Sequence, residues 1–261
     1  MIAPEDVAED LDAYLLPRPG VVREDRGYAV LVDGPDPTPL NRFASRLRLS
    51  LDPRSEVDAI RGWFRARGKE AFTWKLGQHT LPSHLESVLR AHGAHPDAAE
   101  PDHTAMVLDA EPPAVEGIDV CVVESLEEYT QSAEIMFVGF GGSFSEDEIS
   151  AMRAAVPQRF EAYRDDPTSR RYLAYRNGKP VAMATAIRTS VGVVALGGGA
   201  TLPEARGQGA YRALVHARWL EAVRWGASAL VTQASGMSRP ILESIGFRAV
   251  SPVLELIDTS D

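Results

Sequence analysis

The chain of 261 residues is poor in cysteine, has no long apolar run and carries no excess of basic residues. Its single cysteine, Cys121, excludes an intrachain disulfide framework and any multi-cysteine zinc site. The pairs His92/His95 and His79/His84 have neither helix-fixed spacing nor a cysteine nearby, so no metal site is expected. No stretch of about 18 apolar residues is present, and no membrane span is expected. The opening segment MIAPEDVAEDLDAYLL is acidic and lacks the basic region of a secretory signal, which makes a cytoplasmic protein the default expectation. Lys+Arg number 27 against 37 Asp+Glu, a formal net charge of −10. That balance lacks the electrostatic footprint of a general nucleic-acid binder and permits a cationic partner.

What is present is an ordinary globular composition, 44% hydrophobic and 25% charged. At roughly 100–200 residues per domain, the length fits one large domain or two small ones. Residues 1–117 hold 13 Lys+Arg against 20 Asp+Glu, and residues 118–261 hold 14 against 17, so the two parts differ in charge. The segment 110–117, AEPPAVEG, reads as the best linker between them.

In the first part the earliest clear helix starts near Ser55, with Asp58 three residues on. Val57, Ile60, Trp63 and Phe64 recur at helical spacing before Gly68. Ala71 to Leu76 reads as a strand. Pro82 reads as a first-turn proline of a helix carrying Leu85, Val88 and Leu89, stopped by Gly93. Residues 94–103 read as a loop and Thr104 to Leu108 as a strand. In the second part the expected elements are a strand Ile118–Val123, helices Ser125–Val138 and Ser145–Arg164 around a turn at Gly139–Gly142, and strands Arg171–Arg176 and Pro180–Arg188. Asn177-Gly178 marks the hairpin between those two strands. A strand Val191–Leu202, a helix Arg206–Trp225, a strand Ser228–Gln233, a short helix Ser238–Ile245 and a strand Phe247–Ile257 follow. This order predicts a mixed α/β (α+β) layer with a long antiparallel meander.

The chemistry concentrates in Leu202-Pro-Glu-Ala-Arg-Gly-Gln-Gly-Ala-Tyr211, where Arg206-Gly207-Gln208-Gly209 lies between a strand and a long helix. Glycines let backbone approach a ligand closely, and a helix start offers unpaired N–H groups, so the segment suits a pyrophosphate. A Walker loop would need Gly-Lys-Ser/Thr, which is absent. A dinucleotide fingerprint would need a third glycine, where Arg212 stands. Gly141-Gly-Ser-Phe-Ser145 nearly forms a nucleophile elbow but lacks the final glycine, and reads as a flexible connection. Phe137, Phe140 and Phe144 around it either shape a substrate pocket or pack in the core, the latter favoured for Phe137.

Arg206, Gly207, Gln208 and Gly209 closely resemble the acyl-CoA loop of the GNAT family of N-acetyltransferases, whose pattern is Arg/Gln-x-x-Gly-x-Gly/Ala; Tyr211 sits where Gly or Ala is usual. Val191–Leu202 stands where that family has its fourth strand and bulge, and Ser228–Gln233 fits its fifth. Ile241-Leu-Glu-Ser-Ile-Gly-Phe247 is similar to its late signature. The resemblance implies a mostly antiparallel sheet flanked by helices over residues 114–261. It implies acetyl-CoA as cosubstrate in a cleft where the fourth and fifth strands splay, with no metal. Backbone groups of Gly198, Gly199, Ala200 and Leu202 would pair with the pantetheine arm. N–H groups of Arg206, Gly207, Gln208, Gly209, Ala210 and Tyr211 would hold the pyrophosphate. Ser235, where an asparagine is common, would also contact the cofactor.

Leu242 stands where the family often has a tyrosine as general acid, and no glutamate lies on the fourth strand as base. Ser238 either contacts the cofactor or donates a proton or, the favoured reading, caps a helix. Glu134 and Glu161 either line the acceptor cleft or, more commonly for helix carboxylates, face solvent. Tyr211 either packs over the cofactor or fills the helix–sheet interface. His216 reads as a surface or interface residue, and Cys121 as a buried small hydrophobe. Residues 1–113, through Phe72–Gly77, Leu81–Gly93 and Met106–Leu108, resemble more loosely the cofactor-poor half of two-part GNAT proteins. A degenerate or partial copy of the fold is expected there, or an unrelated smaller α/β domain.

The resemblance implies an acyl-CoA-dependent N-acyltransferase, moving an acetyl group to the amine of a small molecule or peptide by direct attack. The alternative is a non-catalytic acyl-CoA-binding or regulatory module. No nucleic-acid or membrane partner is expected, and a monomer and a homodimer are both compatible with the sequence.

Overall fold

A computed structural model describes residues 2–34, 42–97, 102–139 and 146–259. The expected glycine turn beyond Gly139, the near-elbow at 141–145, Phe140 and Phe144 lie outside the described residues. The chain divides into two compact units: Met1–Val107 with Val231–Glu243 and Arg248–Asp261, and Leu108–Leu230 with Ser244–Phe247. Elements are numbered along the whole chain.

The first unit opens with helix α1 (Pro4–Glu9) and a 3-10 turn, Leu11–Ala13. Strands β1 (Val22–Asp25), β2 (Val30–Asp33) and β3 (Arg42–Ser45) form an antiparallel meander. Helix α2 (Arg54–Arg65) leads to β4 (Ala71–Gly77), which runs parallel to β3 at Phe43↔Thr73 and Ala44↔Trp74. Helix α3 (Leu85–Ala91), the two-residue strand β5 (His95–Pro96) and β6 (Asp102–Leu108) complete the early part. From far along the chain come β11 (Leu230–Ala234), α7 (Arg239–Glu243) and β12 (Arg248–Thr259). The twelve residues of β12 are shared: Arg248–Leu254 pair antiparallel with β6, and Val253–Thr259 pair antiparallel with β4. The latest strand therefore closes the sheet of the earliest residues.

The core of this unit follows from the helical stripe. Val57, Ile60, Trp63 and Phe64 of α2 are all buried, and Phe64 stacks on Phe72 of β4 with ring centroids 4.0 Å apart. Phe72 in turn packs at 5.0 Å on Trp74, whose indole N–H donates to Asp258 at 2.7 Å. Burying each such side chain contributes about 1.5–3 kcal/mol. The start of α2 departs from expectation. Pro53 holds the cap position with no side-chain cap, and Glu56, rather than Asp58, accepts the Ser50 N–H at 3.0 Å and hydroxyl at 2.7 Å. Pro82 follows a cis peptide and precedes α3 instead of opening it. The expected loop at 94–103 contains β5 and the first residues of β6, because β12 offers both an edge to pair with.

The second unit is an antiparallel meander, β7 (Asp119–Val122), β8 (Ser169–Arg176), β9 (Lys179–Arg188) and β10 (Val194–Thr201). Asn177 and Gly178 both have positive φ, 51° and 72°, as the two-residue hairpin requires. Helices α4 (Leu126–Gly139) and α5 (Glu146–Arg164) bury Val123, Tyr129, Ala133, Ile135 and Val156 against Leu173, Met183 and Ala200. Helix α6 (Ala210–Arg224) packs on β7–β10. It begins four residues later than its apolar pattern suggested, and those four residues form the loop described next. Segment 110–117 has no regular structure but is not a free tether: Val115 lies against Gly209, and Glu111 sits 3.2 Å from His216 Nε2.

Candidate functional site

The site is built where β10 hands over to α6. Three glycines interrupt β10, and its register with β9 slips between Gly197 and Gly199, leaving Gly198 as the extra residue of a bulge. Gly198 and Gly199 are exposed, so the strand presents bare backbone there. On its other side Gly199 is closely covered: an added Cβ would stand 2.9 Å from Cε2 of Tyr211. The Tyr211 ring thus packs against the strand backbone at Gly199. The guanidinium of Arg218 lies 5.8 Å from the Tyr211 ring.

After Thr201, a 3-10 turn (Pro203–Ala205) precedes Arg206, which is extended at φ −63° and ψ 153°. Gly207 and Gly209 then adopt φ of 71° and 89°, values that side-chain-bearing residues rarely take. The first helical bond of α6 runs from the Ala213 N–H to the Gly209 carbonyl at 2.9 Å, and no side chain caps the helix. The amides of Ala210, Tyr211 and Arg212 therefore have no partner within the helix, and the positive end of its dipole lies open. α4 contrasts with this. There Ser125 Oγ accepts the Glu128 N–H at 3.2 Å, while the Glu128 carboxylate takes the Ser125 N–H at 2.9 Å.

The loop's own side chains hold its shape. Arg206 donates to the carbonyl of Gly139 at 2.8 Å and to that of Thr201 at 3.4 Å; Gln208 Nε2 donates to the Glu204 carbonyl at 2.9 Å. Gly139, the last residue of α4, makes this possible, since a Cβ there would stand 2.7 Å from Cβ of Ala200. Sequence reasoning placed Gly139 only in a turn, although a glycine closing a helix was the available signal. It also missed Arg218, which is 1% exposed. Arg218 donates to the Leu214 carbonyl at 3.0 Å and the Thr185 carbonyl at 3.4 Å. Burial lowers its pKa. Its place seven residues after Tyr211 on the covered face of α6 was legible as spacing. Burial likewise raises the Tyr172 phenol above its ordinary value, and Glu221 adds in the same direction.

The remaining candidates are spread more widely. Leu202 donates its N–H to Val181 at 2.9 Å. Ser235 and Ser238 belong to the first unit, where their hydroxyls lie 3.3 Å apart. Ser238 precedes α7 and its carbonyl accepts the Leu242 N–H at 3.0 Å, but the Ser238 hydroxyl turns back to Ser235. Leu242 is fully buried. Glu134 pairs with Arg153 at 2.9 Å and Glu161 with Arg164 at 2.9 Å, all on α4 and α5. Cys121 is half-buried rather than buried, and its thiol is raised, chiefly by burial. Among the described residues no cluster of metal-ligating side chains occurs, and no helix is long and apolar enough to cross a membrane.

A strand with a glycine bulge, a loop of left-handed glycines and a helix start without a side-chain cap thus follow one another along the chain. The family model described as the acetyltransferase (GNAT) family matches residues 134–247, which span this whole arrangement, and that part of the chain is a GNAT-family domain. No curated protein matches the sequence significantly. Among solved structures, the chain is similar to a GCN5-related N-acetyltransferase from Kribbella flavida (TM-score 0.72, 19% identity, covering 100% of this chain and 97% of that one). It is also similar to a functionally unknown protein from Staphylococcus epidermidis (TM-score 0.68, 14% identity, 96% and 97% covered). A tandem GNAT protein from the clavulanic acid biosynthesis pathway aligns over 98% of this chain and 87% of its own, with TM-score 0.62 and 15% identity. These likenesses establish a fold that extends over both units.

Proposed function

We propose that the chain is an acyl-CoA-dependent N-acyltransferase, taking acetyl-CoA as cosubstrate and an amine of a small molecule or peptide as acceptor. The observation that carries this reading is the uncapped start of α6 behind Gly207 and Gly209, next to the exposed bulge of β10. The residues present fit the cosubstrate: N–H groups of Gly207 to Tyr211 suit a pyrophosphate, that of Arg206 being bonded to the Pro203 carbonyl at 3.3 Å, and the exposed backbone at Gly198 and Gly199 suits strand-like pairing with an amide-bearing arm. Ala200 continues that strand and Ser235 is a further proposed cofactor contact, whereas both backbone groups of Leu202 are engaged, its N–H with the Val181 carbonyl and its carbonyl with the Ala205 N–H, each at 2.9 Å. Bound acetyl-CoA supplies an activated thioester, which an amine attacks directly. The chain's part is to position the two reactants and to offer a backbone N–H at the bulge to the developing oxyanion.

Ser238 is the candidate proton donor to the departing thiolate. A thiol of pKa roughly 8.5 leaves without a strong acid, so the buried Leu242 at the usual tyrosine position does not remove the chemistry. That same Leu242 favours the second reading, an acyl-CoA-binding module without turnover. The first unit is proposed as a degenerate copy of the fold, a reading supported by the alignment of the whole chain with a tandem GNAT protein. Calorimetry with acetyl-CoA tests the shared premise: saturable binding is expected, and no binding at millimolar ligand overturns both readings. Release of free CoA thiol across an amine panel then separates enzyme from module.

A further inference from the structure

The first unit carries a cleft of its own, of about 410 Å³, lined by Asp6, Asp10, Tyr14, Arg46, Arg48 and His79. It lies beside the end of β3, where the parallel pairing with β4 stops after two residue pairs. Arg46, the first residue past that point, has a φ of 49°, an uncommon left-handed conformation for a residue with a long side chain. Such conformations concentrate where a side chain must be held in one direction.

The segment that carries Asp6 and Asp10 is firmly held by residues outside the lining. Lys75 of β4, buried in the sheet, forms ion pairs with Asp12 at 2.8 Å and Glu255 at 3.4 Å and donates to Gln233 at 3.1 Å. Burial opposes the Lys75 charge, but Asp12 and Glu255 outweigh it and raise the ammonium above its ordinary value. Gln233 in turn donates to the carbonyl of Glu9 at 2.7 Å, tying down the end of α1. The Glu9 side chain is buried where Gly77 leaves room; any Cβ at Gly77 would overlap it. Its carboxylate accepts the His79 backbone N–H at 2.9 Å and stands 3.1 Å from His79 Nδ1.

The charges around the cleft are mixed and unequal. Arg48 pairs with Asp10 at 2.7 Å and Arg46 with Asp25 at 2.6 Å, Asp6 adds an exposed carboxylate to the lining, and Glu9 is bonded to His79 from outside it. Burial raises the Asp10 carboxyl above its ordinary range although Arg48 is adjacent, and Glu9 adds to the effect. The Asp6 carboxylate is thus set beside the Arg48–Asp10 pair, while each guanidinium has more donors than its one carboxylate partner uses. A cation on the α1 side and a carboxylate against the arginines would complete both halves.

We infer that this cleft binds a zwitterionic small molecule, an amino acid or short peptide, with its ammonium toward Asp6 and Asp10 and its carboxylate toward Arg46 and Arg48. The volume suits such a ligand, small-molecule sites being roughly 300–1,000 Å³. The inference does not depend on acyl transfer in the second unit.

Calorimetric titration of the full chain with each of the common amino acids tests it. At least one is expected to bind saturably at millimolar concentration. Its decarboxylated amine and its deaminated acid are each expected to bind at least ~10-fold more weakly. Asp6→Asn, at an exposed position, and Arg46→Gln are each expected to weaken binding by ~10-fold, with the affinity for acetyl-CoA unmoved. Failure of every amino acid to bind, equal binding of the bare amine or bare acid, or unchanged affinity in either variant overturns the inference.

Discussion

Each unit joins a strand to a helix with a short connection, and the two connections are held in different ways. In the second, β10 passes to α6 through Gly207 and Gly209, and the first amides of the helix are left without a cap. In the first, β3 passes to α2 through residues 46–53, which contain no glycine. There Glu56 takes the Ser50 amide and hydroxyl, Asp52 pairs with Arg54 at 2.8 Å, and Asp10 pairs with Arg48. The first unit thus fixes its connection with its own carboxylates, whereas the second fixes its loop through Arg206 and Gln208; neither helix start has a side-chain cap. A finished cap is found at α4, where Ser125 and Glu128 satisfy each other's amides.

The comparison is broken most severely by closing the open connection. Gly209→Asp places a carboxylate in the loop, and acetyl-CoA affinity is expected to fall by about 3 kcal/mol, or ~100-fold, by calorimetry. The new Cβ would also meet Val115 at 3.0 Å, so the same substitution with Val115→Ala separates charge from crowding. If affinity survives in both, the loop is not the anion site. Next, Glu56→Ala removes the internal anion of the first unit and is expected to lower stability by about 1–2 kcal/mol in urea unfolding, leaving acetyl-CoA affinity as it was.

A smaller effect is expected from Arg206→Ala, which loses the hydrogen bond to Gly139. Acetyl-CoA affinity should drop about 5-fold, or ~1 kcal/mol, with the urea midpoint nearly constant. Smallest is Glu128→Gln at the capped start of α4, at about 0.5–1 kcal/mol. Hydrogen bonds from the Glu124 and Ser125 backbone hold the Glu128 carboxyl below its ordinary value. Its contribution is therefore full above the unfolded-state pKa near 4.5 and is lost as pH falls through the lower folded-state value. Wild type and variant should converge in strong acid; a gap that persists there would contradict the capping role.

Much of the second unit was legible because its signals are local. Asn177-Gly178 dictates a hairpin, and the Arg206–Gly209 pattern sits on the residues that form the loop. The stripe Val57, Ile60, Trp63 and Phe64 was legible in the first unit for the same reason. What escaped notice was short or non-local. α1 has six residues and β1 to β3 four each, too few for a periodicity to rise above chance. α6 starts past Gly207 and Gly209 because their positive φ is not helical, a boundary for which the two glycines were the available signal. Tyr211 could not be settled from its neighbours in sequence, since its partner is Gly199, twelve positions earlier on another element.

The sharing of β12 between β4 and β6 has a consequence for how the chain is made. Residues 1–107 leave the ribosome first, yet their sheet stays open in the middle until residues 248–259 have been synthesised. The second unit, all but complete by residue 230, has its strands in hand far earlier. Order of emergence and order of completion are thus reversed, and for most of translation the oldest part of the chain carries unpaired strand edges, the surfaces on which misassembly begins.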